Sequence, residues 1–151
     1  MEYDRALLKS WAEMETLDQC LEREGALNKL SSQEGFDYVQ KKYFSLVDKR
    51  ISCCIELWKG CQDVFLTYLI ATLYDKTDLN RSPDYLFKRY TRLFAAKALE
   101  LDPTYAPARE LLDRANEWVE FLGGDKDYMP DFEVEFKDSD GKHLIKDGGS
   151  L

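Results

Sequence analysis

Ala98-Leu99-Glu100-Leu101-Asp102-Pro103-Thr104-Tyr105-Ala106-Pro107-Ala108 stops one helix and starts the next within eleven residues. Pro103 disfavours a helical conformation at Asp102 before it, so a helix arriving through Ala98 and Leu99 ends there. Thr104 is placed to cap a following helix, and Pro107 is tolerated in its first turn. Two helices joined by so short a connection pack as a hairpin. The fold expected is therefore all-α, built from stacked antiparallel hairpins.

Working outward, the spacing of apolar residues predicts five helices. The first covers about 4–24, with Ala6, Leu7, Trp11, Met14, Leu17, Cys20 and Leu21 on one stripe of an acidic helix. The second covers about 37–59 and stops at Gly60. Its start has two readings, a Ser31-Ser32-Gln33-Glu34 capping box or Asp37 as the cap. The third covers about 62–76 and is apolar around most of its circumference, as a central helix is. The fourth starts at Ser82-Pro83-Asp84, a capping hydroxyl followed by proline and an acid at the positive helix end, and runs to Leu101. The fifth covers about 105–122 and is closed by Gly123-Gly124.

The tail has a different period. Phe132, Val134 and Phe136 alternate with Glu133 and Glu135, the two-residue repeat of a half-buried strand. Asp138-Ser139-Asp140-Gly141 supplies a turn, and His143-Leu144-Ile145 a returning strand. Residues 1–124 are thus expected as a helical domain, and 125–151 as an acidic tail forming a short β-hairpin or staying disordered.

With 151 residues the chain suffices for one core, and with 8 Gly and 4 Pro it has few of the punctuators a β-rich fold needs. The net charge is −8, and residues 1–25 and 125–151 each carry −4 while 26–124 sum to zero. Negative ends disfavour non-specific binding to phosphate polymers or anionic membranes, leaving room for a local basic patch in the middle. Neither a membrane-spanning run nor the basic-then-apolar layout of a signal peptide is read, so a cytoplasmic location is expected. Cys20, Cys53, Cys54 and Cys61 lack paired metal-ligand spacing and are expected as small buried residues in a reducing compartment. No cofactor and no metal are anticipated.

Asp37-Tyr38-Val39-Gln40-Lys41-Lys42-Tyr43-Phe44-Ser45-Leu46-Val47 aligns with Asp84-Tyr85-Leu86-Phe87-Lys88-Arg89-Tyr90-Thr91-Arg92-Leu93-Phe94 at an offset of 47, identical at five of eleven positions. Cys54-Ile55-Glu56-Leu57 likewise matches Ala98-Leu99-Glu100-Leu101 at an offset of 44. A helix-hairpin repeat leaves such a mark.

The junction at 98–108 resembles that between tetratricopeptide (TPR) repeats. Ala98 stands for the small residue that lets helices approach, Pro103 for the terminating proline, and Ala106 and Ala108 for the opening of the next helix. Leu112 falls where the family favours a large apolar residue. The likeness is best over 97–112 and looser over 62–122. Arg109 stands where the family favours Trp, and Asp113 where it favours a small residue. The repeat spacing also exceeds the family's 34 residues. The resemblance implies a groove for peptides or partner proteins, and no catalysis. Some such families clamp a carboxylate with Lys and Asn. Here Leu66, Ile70, Glu110 and Arg114 hold the nearest positions, so that clamp is not expected and the co-chaperone role that goes with it is disfavoured.

The residues themselves agree in offering no enzyme. The single histidine, His143, lies in the tail, and no GxxxxGK[ST] or GxGxxG loop occurs. The expected function is non-catalytic protein binding as an adaptor, chaperone or inhibitor. Tyr38, Lys41, Lys42, Tyr85, Lys88, Arg89 and Arg92 are the expected partner-binding residues, their cations forming a stripe if the hairpins stack in register. The alternative from the same segments is a nucleic-acid-binding accessory protein, with Tyr stacking on bases. The acidic tail, Glu133-Val134-Glu135, complements the same basic segments.

Overall fold

Thr16 and Gln19 divide what the apolar stripe had joined. The computed structural model describes residues 4–28, 33–77 and 88–124. In it the N-terminal segment forms two helices, α1 (Arg5–Ala12) and α2 (Leu17–Asn28). Asp4 opens α1 by accepting from the Leu7 N–H at 3.1 Å. At α2 the Gln19 N–H donates to Thr16 Oγ1 at 3.2 Å, and the Thr16 N–H to Gln19 Oε1 at 2.9 Å. This reciprocal capping box satisfies two backbone donors that a helix start leaves open. The single helix expected over 4–24 is thus corrected. The corner at 13–16 lets Leu8 of α1 and Cys20 of α2 both reach the core.

The next helix, α3 (Gln33–Gly60), begins before the expected position. Asp37 is therefore not a cap; it lies inside the helix and accepts from Gln33 Nε2 at 2.8 Å. Ser31 and Ser32 lie outside the described residues. At 28 residues α3 is about 42 Å long. Val39, Tyr43, Val47, Ile51, Cys54, Ile55 and Trp58 make its buried stripe, each three or four residues from another of them.

Asp63 caps α4 (Val64–Asp75), accepting from the Leu66 N–H at 2.7 Å. Eight of its twelve residues are buried, and it packs against α1, α3 and the two helices that follow. The apolar circumference of the sequence is thus realised as the central helix. Each fully buried Leu or Ile here is worth about 1.5–3 kcal/mol of transfer free energy. Trp58 Nε1 donates to Thr67 Oγ1 at 2.7 Å, joining the end of α3 to the start of α4.

Then follows α5 (Arg89–Leu101). Lys88 has φ 45° and ψ 49°, a left-handed conformation that no continuous helix passes through. The helix expected from Ser82 onward therefore starts at Arg89, and the Ser82-Pro83-Asp84 signal itself lies outside the described residues. Phe94 of α5 stacks on Tyr74 of α4 and meets Trp58 of α3 edge-on, each at 5.9 Å between ring centres.

The stop at Asp102-Pro103 is realised: Asp102 is extended, and its N–H donates to the Ala98 carbonyl. Thr104 does not cap α6 (Ala106–Phe121). Its N–H and hydroxyl both donate to Asp102 Oδ1, at 3.0 and 2.6 Å, so Tyr105 takes the cap position without a side-chain bond. Those bonds hold the Asp102 carboxyl below its ordinary pKa. At the far end Gly123 has φ 82°, and Gly124 N–H bonds to the Val119 carbonyl while Gly123 N–H bonds to that of Glu120. This is a Schellman stop.

The described residues contain six helices and no strand, so the molecule is mostly helical. No helix among them is long and apolar enough to cross a membrane. The tail hairpin expected over 132–145 lies outside the described residues.

Candidate binding groove

Two exposed apolar side chains on α3, Tyr38 at 66% and Leu46 at 43% of their surface, stand beside α2. Between the helices lies a groove of about 410 Å³. Met14, Cys20, Val39, Tyr43 and Leu46 form its apolar lining, and Arg23, Lys42, Lys49 and Glu15 its polar edge. Lys42 and Lys49 are seven residues apart, two turns of one helix, so both stand on the same exposed side of α3.

The geometry follows from the corner before α2. Glu15 takes Arg23 in a forked pair, with Oε1 2.8 Å from one terminal nitrogen and 3.2 Å from Nε. This bonding holds the Glu15 carboxyl below its ordinary pKa against a weaker opposing effect of burial. The Tyr43 hydroxyl donates to the Glu15 carbonyl at 2.9 Å, anchoring the corner to α3. Arg50 adds a second anchor, its guanidinium 5.1 Å from the centre of the Trp11 ring. With Glu15 matched by Arg23, the lysines carry the edge's remaining charge, which is positive.

Behind Tyr43 lies a smaller cavity of about 260 Å³, lined among others by Thr16, Asp18, Gln40, Asp75 and Lys76. Lys76 Nζ donates to the Met14 carbonyl at 3.2 Å, and burial lowers its pKa. Tyr43 lines both cavities.

Of the residues expected to bind a partner, the structure brings Tyr38 and Lys42 to the groove, with Lys41 exposed next to them. Lys88 and Arg92 are elsewhere. Lys88 pairs with Asp75 at 2.8 Å and lies 5.9 Å from the Trp118 ring centre. Arg92 is fully buried, with Nε donating to Asn116 Oδ1 at 2.8 Å, and Arg89 is half-buried. The expected continuous stripe of exposed cations is corrected accordingly, because α5 is covered by α4 on one side and α6 on the other. Tyr85 lies outside the described residues.

Sequence reading missed Glu15, Arg23, Leu46 and Lys49. The seven-residue step from Lys42 to Lys49 was a usable signal, as was the capping box at Thr16. Among the cysteines, Cys20 and Cys54 are buried as expected, whereas Cys53 is exposed and Cys61 half-buried. Leu66 and Ile70 are fully buried. The described residues hold no group of three or more metal-ligating side chains. Compared with protein-family models, curated proteins and solved structures, the chain matches none.

Proposed function

We propose that this chain is a non-catalytic protein-binding module, an adaptor, chaperone or inhibitor, that takes a peptide or a partner's segment in the α2–α3 groove. The observation that carries the reading is the exposed Tyr38 and Leu46 beside an apolar recess edged by Lys42 and Lys49. Exposed aromatics beside apolar recesses are typical interface anchors, and a basic edge selects acidic ligands. The described cations argue for a peptide over a nucleic acid. Lys88 and Arg92 are engaged inside the fold, and Tyr43 and Tyr90 are buried, which removes them as stacking platforms.

The TPR-like reading belongs to α4, α5 and α6. Supporting it are the order of the three helices, the stop at Asp102-Pro103 and the complete burial of Ala98 and Ala108, where close approach needs small residues. Its groove, on this proposal, is displaced towards the N-terminal helices.

Selection from a random displayed peptide library tests the function. Enriched sequences should combine acidic with aromatic residues, and the Lys42→Glu/Lys49→Glu variant should lose them. Lys59, which lies 3.2 Å from Glu56 at the far end of α3, supplies the control substitution Lys59→Glu. Equal enrichment by both variants would remove the groove from the account.

A further inference from the structure

The groove has an apolar lining with an excess of positive charge on its edge, and one stretch of this chain has the reverse pattern. Asp131-Phe132-Glu133-Val134-Glu135-Phe136 alternates three acids with three large apolar residues. We propose that residues 131–136 of the same chain occupy the α2–α3 groove in the resting protein, where an outside ligand must displace them. This rests on the peptide-binding reading above.

The dimensions agree. Extended chain advances about 3.3 Å per residue, so Phe132 and Phe136 stand about 13 Å apart. Along α3 the rise is about 1.5 Å per residue, which separates Val39 from Leu46, and Lys42 from Lys49, by about 10 Å. In an extended chain the apolar residues 132, 134 and 136 share one face and the acids 131, 133 and 135 the other. The apolar face can meet Val39, Tyr43 and Leu46 while the acids stay within reach of the long lysine side chains at the edge.

The path is short enough. α6 ends at the same end of the bundle as the groove's inner wall. Trp118 contacts Lys88, Lys88 pairs with Asp75, and Asp75 shares a cavity with Tyr43. α6 also touches α4, and α4 packs on α3. Two interhelical steps of about 8–10 Å each, about 20 Å across the bundle, lead from α6 to α3. The seven residues from Gly124 to Asp131 reach up to about 23 Å.

A short linker gives an effective concentration on the order of 1 mM, which closes a groove of about 100 μM intrinsic affinity roughly tenfold. The test uses the full chain and a fluorescent synthetic peptide of residues 129–138, read by anisotropy. Phe132→Ala/Phe136→Ala should bind the peptide about tenfold more tightly than the unaltered chain, and Lys42→Glu/Lys49→Glu should not bind it. Equal affinity of the first variant and the unaltered chain leaves a peptide groove but overturns its occupation by the tail. No binding to either up to millimolar peptide overturns the tail's occupation of the groove, while enrichment of acidic and aromatic sequences from the displayed library would still leave it a peptide site. A dimer by sedimentation that the Phe132→Ala/Phe136→Ala change dissolves would place the segment on a second copy, and so overturn the proposal for one chain.

Discussion

The hydroxyl of Tyr43 donates to the carbonyl of Glu15 across 28 residues of chain, at 2.9 Å. That bond ties the corner between α1 and α2 to α3, at a residue that lines both the groove and the smaller cavity. Tyr43→Phe keeps the ring and loses the bond. It should cost about 0.5–1.5 kcal/mol, with more if the Glu15 carbonyl finds no water. Urea unfolding should show a lower midpoint at unchanged slope. An unaltered midpoint would mean that the corner is held by its other contacts alone.

Stability should fall on the alkaline side. Burial, and then the neighbouring Cys53, push the Cys54 thiol from 9.0 up to about 12. Burial, followed by Cys20 and Glu15, pushes the Tyr43 hydroxyl from 10.0 up to about 12. Over these windows the unfolded chain has released protons that the folded chain keeps, so stability is lost as pH rises. Lys76 acts in the opposite sense, since burial lowers its pKa below 10.5 and the folded chain releases its proton first. Lys76 therefore adds stability as pH rises towards 10.5 and makes no further change beyond it, while the losses from Cys54 and Tyr43 continue up to about 12. Unfolding midpoints between pH 8 and 12 should show the decline, with Cys54→Ala weakening the part that starts near 9 and Tyr43→Phe the part that starts near 10. Parallel curves for all three proteins would contradict these assignments.

Lys88 makes a prediction against ordinary helix preference. Its left-handed backbone costs a residue with a Cβ about 1–2 kcal/mol that glycine escapes. Both Lys88→Ala and Lys88→Gly lose the Asp75 pair, yet Lys88→Gly should be the more stable by about 1 kcal/mol in thermal or urea unfolding. The reverse order would put Lys88 in regular helix and extend α5 towards the Ser82-Pro83-Asp84 signal.

The part-buried bond from the enclosed Arg92 to Asn116 invites a double-mutant cycle. Asn116→Leu removes an acceptor from an enclosed guanidinium and should cost about 1.5–3 kcal/mol. Arg92→Met together with Asn116→Leu exchanges the polar pair for apolar volume and should recover much of that loss. Strict additivity of the two changes would show that the bond contributes nothing of its own.

What the sequence disclosed was mostly where helices stop. Asp102-Pro103 and Gly123-Gly124 act through backbone sterics alone, and both behave as read. The central position of α4 was legible because apolar residues surround it and leave no face for water. The break before Thr16 was obscured because the apolar spacing of α1 and α2 continues across it, although Thr16-Leu17-Asp18-Gln19 has the capping-box pattern. Arg92 was misplaced for a different reason. A cation on an amphipathic helix reads as exposed, and only the positions of α4 and α6 enclose it. The groove was half legible: Tyr38 and Lys42 came from the repeat, while Glu15 and Arg23 needed the corner that brings α2 beside α3.

The stacking order has a kinetic consequence. From α2 to α6 each helix rests chiefly on its neighbours in the chain, so most of the fold assembles through short loop closures, which are fast. α1 is the exception, since it lies on α4 some fifty residues away. Docking of α1 should therefore be the late step, and its release the early one. Its amides should then exchange with solvent before those of α4, which is buried on most sides and should open only with the whole molecule.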